Sequence, residues 1–162
     1  MKSLQTLVSI AVIGTIIALS GCGGGGGSAE PATDKQLTLL SKTWKLKSLT
    51  GGSVFKAGAD STTRGWNNGF TLTISGTKGQ TTFNYACANR PPLSVWKSAG
   101  TFQFNSDPKK VTTDLTRDDG AAVTYAVDAS GSNLQLKFSF SGAGYSRTSN
   151  VQGDWIFNLI PN

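Results

Sequence analysis

Residues 134–140, with the sequence LQLKFSF, carry a large apolar side chain at every second position and a polar one between. The same period of two recurs in FTLTIS at 70–75 and around Tyr125 and Phe157. Because successive side chains of a strand point to opposite faces, this alternation predicts strands with one buried face. The pattern predicts eight strands, at residues 43–49, 69–75, 80–86, 100–105, 110–117, 122–128, 133–141 and 152–160.

The connectors between these strands also favour an all-β domain over residues 34–162. Several are short and rich in turn-forming residues, such as SGTKG at 75–79 and ASGS at 129–132. Sequential antiparallel strands with short turns favour a single closed up-and-down barrel of eight strands, which leaves no unpaired edge. A β-sandwich is the alternative. One short helix is predicted over residues 34–41, capped by Thr33 or Asp34.

The connectors of an up-and-down barrel alternate between its two ends. Those after the second, fourth and sixth predicted strands are short, whereas three of the other four are long, at residues 50–68, 87–99 and 142–151. We therefore expect one tight end, where the chain enters the first strand, and one loop-rich end.

The first 33 residues differ from this domain. Residues 1–21 have the parts of a secretory signal: Lys2, the apolar run LVSIAVIGTIIAL at 7–19, and two small residues before Cys22. A transmembrane anchor is the alternative, but spanning a bilayer needs about 20 apolar residues. Residues 22–33 include GGGGG at 23–27 and are predicted to form a flexible tether with a reach of roughly 20 Å.

Composition excludes several kinds of chemistry. The 162 residues contain no histidine and only one glutamate, so Ser-His-Asp and Cys-His catalysis and histidine zinc sites cannot be assembled. The spacing of the aspartates favours neither a glycosidase pair nor an EF-hand. We predict no enzymatic activity, no catalytic residue, no metal and no cofactor.

The net charge of +6 comes from dispersed lysines without an aromatic-basic motif, which predicts no nucleic-acid partner. Lys78 and Lys109-Lys110 belong to connectors of the tight end. If the tether also attaches there, these lysines could face anionic lipid.

Aromatic and cationic side chains concentrate in the connectors of the loop-rich end. Aromatic faces with a few converging polar groups suit a small hydrophobic or sugar-like ligand. The candidate ligand-binding residues are Arg64, Trp66, Asn67, Arg90, Trp96, Arg117, Tyr145 and Arg147. In the alternative, Trp66 and Trp96 fold back to close the barrel with arginine stacked on indole, and Arg117 pairs locally with Asp118.

The segment LSGC at 19–22 resembles the lipobox of bacterial lipoproteins. That resemblance implies cleavage before Cys22 and acylation of its sulfur and amine, so that the protein meets the membrane through this anchor. Gly23 after the cysteine favours the outer membrane of the cell envelope, in either leaflet. Lipidation would leave Cys87 as a lone thiol, which we expect to be packed in the interior.

Stretches of the domain resemble the lipocalin-like lipoproteins of Gram-negative gut bacteria. They are LLSKTWKL at 39–46, VWKSAGTFQF at 95–104, LTRDDG at 115–120 and VQGDWIF at 151–157. The resemblance implies a small calycin-type barrel, exported and lipid-anchored, in a family that mostly lacks an assigned ligand. The chain has Lys42 where lipocalins have glycine, and the resemblance implies a stack of Trp44 on a distant arginine such as Arg147.

Together these observations predict a membrane-anchored lipocalin-like lipoprotein that binds a small hydrophobic or sugar-like ligand at its loop-rich end. The alternative is a non-catalytic interaction or accessory module of an outer-membrane protein complex. A filled barrel interior would favour the second function. The triplet Asp60-Ser61-Thr62 also resembles an acceptor for bacterial O-glycosylation.

Overall fold

The computed structural model describes residues 29–92, 94–105, 114–142 and 151–162. A helix, α1 (Ala32–Leu40), precedes the strands, and an irregular helical turn, Thr62–Trp66, lies among them. The strands are β1 (Thr43–Leu46), β2 (Val54–Lys56), β3 (Ala59–Asp60), β4 (Thr71–Ser75), β5 (Thr82–Ala88), β6 (Ala99–Phe104), β7 (Asp114–Arg117), β8 (Ala122–Val127), β9 (Leu134–Phe140) and β10 (Gly153–Pro161).

Eight strands close into an antiparallel barrel in the order β1-β4-β5-β6-β7-β8-β9-β10, and β1 pairs again with β10. Trp44 closes the ring because it lies opposite Leu72 on one side and Pro161 on the other. The predicted up-and-down barrel is therefore confirmed, and the sandwich alternative is not what the chain adopts.

The first predicted strand is interrupted. β1 leaves the wall after Lys47, whose N–H donates to the Asn158 carbonyl, and the chain returns to β10 at Ser53. β2 then continues along β10 and forms a hairpin with β3, within the segment predicted as a loop. The returning turn has positive φ at Ala57 and Gly58, the conformation of a tight two-residue hairpin.

Apolar positions that alternate with polar ones in the sequence are alternately buried and exposed in the strands. In β9, Leu134, Leu136, Phe138 and Phe140 are buried, whereas Lys137 and Ser139 are exposed. Phe157 of β10 lies in the middle of the interior, with its ring centroid 5.0 Å from Trp66, 5.6 Å from Trp96 and 6.0 Å from Phe138. Aromatic rings thus fill the described interior and supply much of its buried apolar area.

The helix closes the tight end. Asp34 accepts a hydrogen bond from Gly79 N–H at 2.7 Å, and the Tyr125 hydroxyl donates to Gln36 at 3.2 Å. The predicted cap at Thr33 or Asp34 is wrong: Pro31 precedes the first turn, without a side-chain cap bond. Asp34 is buried, and its carboxylate satisfies the β4–β5 turn instead. Within the described ranges, no helix is both long and apolar enough to cross a bilayer.

Candidate functional site

The connectors at the loop-rich end send two tryptophans into the barrel. Trp66, on the helical turn, is 2% exposed, and Trp96, in the β5–β6 connector, is fully buried. Trp66 makes an edge contact with Phe70 at 5.2 Å, and Trp96 contacts Tyr85 at 5.6 Å and Phe138 at 5.1 Å. These contacts match the alternative in which the two indoles close the barrel.

Arg117, at the end of β7, is the charged centre of this packing. Its side chain is fully buried, and its guanidinium lies 5.1 Å from the Trp96 ring centroid and 4.8 Å from that of Phe138. Nε and Nη2 donate to the two carboxylate oxygens of Asp119 at 2.8 and 2.6 Å, and Nη1 donates to the Val95 carbonyl at 2.9 Å. We call Arg117, Asp119, Trp96 and Phe138 the Arg117 cluster.

This geometry explains why a full charge is tolerated there. A planar guanidinium offers parallel donors that match a carboxylate, and its faces stack on aromatic rings. The predicted Arg117–Asp118 ion pair is wrong in its partner. Asp118 turns outward, where it accepts from Lys97 at 2.7 Å and from the Tyr85 hydroxyl at 3.2 Å. Burial raises the pKa of Tyr85 far above its ordinary value, and nearby Asp118 raises it further against the opposing Arg117 charge.

The remaining candidate residues are spread around the rim. Arg64 is exposed, and Asn67 is half-buried where the helical turn ends, with its backbone N–H donating to the Thr62 carbonyl. Arg90 is half-buried and donates through Nη1 to the Trp96 carbonyl, so it supports the indole from its backbone side. The structure therefore unites Trp96, Arg117 and Arg90, and leaves Arg64 on the surface.

Two polar groups in this region are isolated from water. The indole Nε1 of Trp96 is buried without a hydrogen-bond partner among the described residues. The thiol of Cys87 is buried and free of any disulfide, as expected for a packed cysteine. Burial raises the pKa of Cys87 to about 12, against the lowering effect of Arg90 and Arg117.

The triplet Asp60-Ser61-Thr62 has a structural role in the fold. The Thr62 hydroxyl accepts from Ser53 and Val54 N–H groups at 3.0 and 2.9 Å, and the Asp60 carboxylate accepts from Gly52 N–H at 2.8 Å. Hydrogen bonds from the Thr62 N–H and hydroxyl and from the Gly52 N–H lower the pKa of Asp60. Ser61 is only 4% exposed, so the folded domain does not present its hydroxyl for glycosylation.

At the opposite end of the barrel, a lysine ammonium group lies over the Trp44 ring. Lys42 places Nζ 5.2 Å from the Trp44 ring centroid and donates to the Gly131 carbonyl at 3.0 Å. Among the described residues, the cation over the Trp44 ring is therefore Lys42, two residues before it in the chain. Cys22, Tyr145, Arg147 and Lys109-Lys110 lie outside the described residues, so their predictions stay untested.

Asp119 and the Val95 carbonyl are the site groups that sequence reasoning missed. The signal was present as two adjacent aspartates after Arg117, but only the hairpin geometry selects the second.

Across the parts of the chain that the structure describes, no group of three or more Cys, Asp or Glu could hold a metal ion. No family model, curated protein or solved structure matches this chain.

Proposed function

We propose that the protein is a lipid-anchored, non-catalytic lipoprotein of the cell envelope whose filled barrel serves as a rigid scaffold for interaction with a partner protein. The observation that carries this proposal is the Arg117 cluster. Trp66, Trp96 and Arg117 occupy the space in which a ligand would enter an eight-stranded barrel, and such a barrel holds only side chains or one small ligand. Lipid anchoring is supported by LSGC at 19–22 and the apolar run before it.

The loop-rich end is the favoured recognition surface for this partner. Arg64 is exposed there and Asn67 and Arg90 are half-buried, and all three belong to the connectors that carry Trp66 and Trp96. Cations on a rigid rim suit a partner with complementary charge, because electrostatic complementarity raises the rate and specificity of association.

A variant-controlled capture experiment tests the proposal. The full chain, processed and lipidated in a Gram-negative host, is cross-linked and purified in detergent beside Arg64→Glu and, as a matched control, Lys35→Glu on α1. We expect a stoichiometric partner that is lost with Arg64→Glu and kept with Lys35→Glu. Equal recovery with both variants, or no partner at all, would contradict the proposal.

A small sugar-like ligand is the second candidate, favoured by the Trp96 Nε1, a buried donor that finds no acceptor among the residues that the structure describes. A ligand that binds only the folded protein raises the melting temperature with its concentration. Thermal denaturation with fatty acids and short oligosaccharides therefore separates the two candidates. A concentration-dependent rise that Trp96→Phe abolishes would favour ligand binding over the scaffold.

A further inference from the structure

A hydrophobic side chain is exposed to solvent in the segment that interrupts the first strand. Leu49 is 51% exposed and stands apart from the other large hydrophobic side chains of the described residues, which are more buried. Hydrogen bonds constrain the backbone on both sides of this leucine. Ser48 N–H donates to the Ser53 hydroxyl at 2.6 Å, and the Asn158 side chain donates to the Gly52 carbonyl at 3.1 Å. The fold thus fixes an exposed leucine in place.

Two lysines accompany this leucine on the outer wall. Trp44 and Leu46 of β1 point inward, so Lys45 and Lys47 point outward and are exposed. Neither lysine belongs to an ion pair formed among the described residues. No carboxylate of the described ranges therefore neutralises their positive charge.

A shallow depression lies between these side chains. Its volume is about 300 Å³, and its lining includes Lys45, Lys47, Leu46, Leu49, Phe70 and Ile160. Ile160 lies opposite Lys45 on β10, so apolar and cationic groups share one face. We call Lys45, Lys47, Leu49 and Ile160 the β1 face.

We propose that the β1 face contacts an anionic lipid bilayer, a partner class that the proposed lipid anchor brings within reach and on which this inference rests. The ammonium groups match phosphate-bearing headgroups, and Leu49 can enter the headgroup–acyl boundary beside them. A second, electrostatic contact of this kind complements acyl chains in holding a protein at a membrane. The barrel then lies on its side, with its loop-rich end free to meet a partner.

The distances allow this orientation. The described chain begins at residue 29 beside the tight end, and the four residues of β1 cover roughly 13 Å. The predicted tether residues that precede it, 22–28, reach roughly 15 Å as a flexible chain, so they do not prevent the side wall from touching the membrane. At the tight end, by contrast, Lys78 is paired with Glu30 at 2.6 Å and Lys42 is engaged by Gly131. Two of the described cations there are thus engaged, whereas Lys45 and Lys47 form no ion pair among the described residues, and exposed Lys35 is the tight-end cation against which the β1 face is tested.

A fluorescence experiment on the full, processed protein tests this contact. Cys87 is buried, so Leu49→Cys provides the reactive thiol for an environment-sensitive nitrobenzoxadiazole label, and Lys35→Cys on α1 provides the matched label at the tight end. Both proteins are reconstituted into phosphatidylcholine vesicles with and without phosphatidylglycerol. Mass spectrometry of each sample reports whether Cys22 is acylated, so failed anchoring is distinguished from a failed contact.

We expect the label at position 49 to shift to the blue in the anionic vesicles and to return toward its original emission at high salt. Lys45→Glu with Lys47→Glu should abolish this shift, whereas the equal charge change Lys35→Glu with Lys78→Glu should leave it. A blue shift at position 35 instead, or dependence on Lys35 and Lys78, would overturn the proposal in favour of the tight end. No shift at position 49 in acylated protein would also overturn it and would leave the β1 face to a protein partner.

Discussion

The stability of the filled barrel depends on the buried charge of Arg117. Its guanidinium is satisfied by Asp119 and the Val95 carbonyl and is stacked between aromatic rings. Removal of one partner of a buried pair leaves the other uncompensated, which typically costs about 3–5 kcal/mol. The Asp119 side chain is 16% exposed, so its carboxylate would be partly hydrated after Arg117→Met, and we expect the free energy of unfolding to fall by about 2–3 kcal/mol, below the range for a fully buried pair.

Chemical denaturation followed by tryptophan fluorescence measures this change. Arg117→Met with Asp119→Leu should recover part of the loss, because replacing both partners by apolar groups avoids the orphaned carboxylate. The exposed lysine of the Lys78–Glu30 pair supplies the control, since Lys78→Met should change stability little. An Arg117→Met protein as stable as wild type would contradict the assigned role of the cluster.

At the scale of elements, Thr62 joins the interrupted strand to the helical turn. Its buried hydroxyl accepts from both the Ser53 and Val54 N–H groups. Valine has the same shape but cannot accept, so Thr62→Val leaves two buried donors unsatisfied at a cost of about 1–3 kcal/mol each. We expect urea denaturation to show a loss of about 2–6 kcal/mol. The neighbouring Thr63 is exposed, and Thr63→Val should be close to neutral; equal effects of the two substitutions would count against this account.

The β8–β9 turn depends on an ionised aspartate. Hydrogen bonds from the Asn133 side chain, the Ser132 N–H and the Ser130 hydroxyl lower the pKa of Asp128 to about 2. Because the folded pKa lies below the unfolded value of about 3.9, the stabilisation is complete above that pH and is lost as pH falls toward 2. The stability difference between wild type and Asp128→Asn should therefore shrink over this window in denaturation curves. Asn133→Ala should move the loss to higher pH, and unchanged curves for both variants would refute the coupling.

The elements also show where sequence reasoning succeeds and where it stops. Alternation over six or seven residues was enough to predict strands such as β9, because every inward position there is large and apolar. The β2–β3 hairpin has strands of three and two residues, too short for a period to emerge. Its signal was the Ala57-Gly58 turn. The inward direction of Trp66 and Trp96 follows from packing on Phe157, a contact between residues about 60 to 90 positions apart, which local pattern does not encode.

For the whole molecule, the filling of the barrel makes its four tryptophans a probe of the interior. Trp44, Trp66, Trp96 and Trp155 are each at most 4% exposed. We expect the native protein to emit at short wavelength and to resist quenching by acrylamide, with both properties lost on unfolding. Leu49→Trp supplies the internal comparison, because it adds an indole at a position that is half exposed in the same fold.

The added indole should be quenched nearly as readily as tryptophan in denatured protein, while the native four remain protected. A solvated cavity beneath the loop-rich end would instead make Trp66 and Trp96 quenchable in the wild-type chain, and Trp96→Phe would then remove much of that signal. The proposed scaffold requires protection of all four indoles. A partner bound at the loop-rich end needs connectors whose conformation is fixed by packing on the barrel interior. Quenching of the native indoles would favour the function of binding a ligand inside the barrel over the scaffold function.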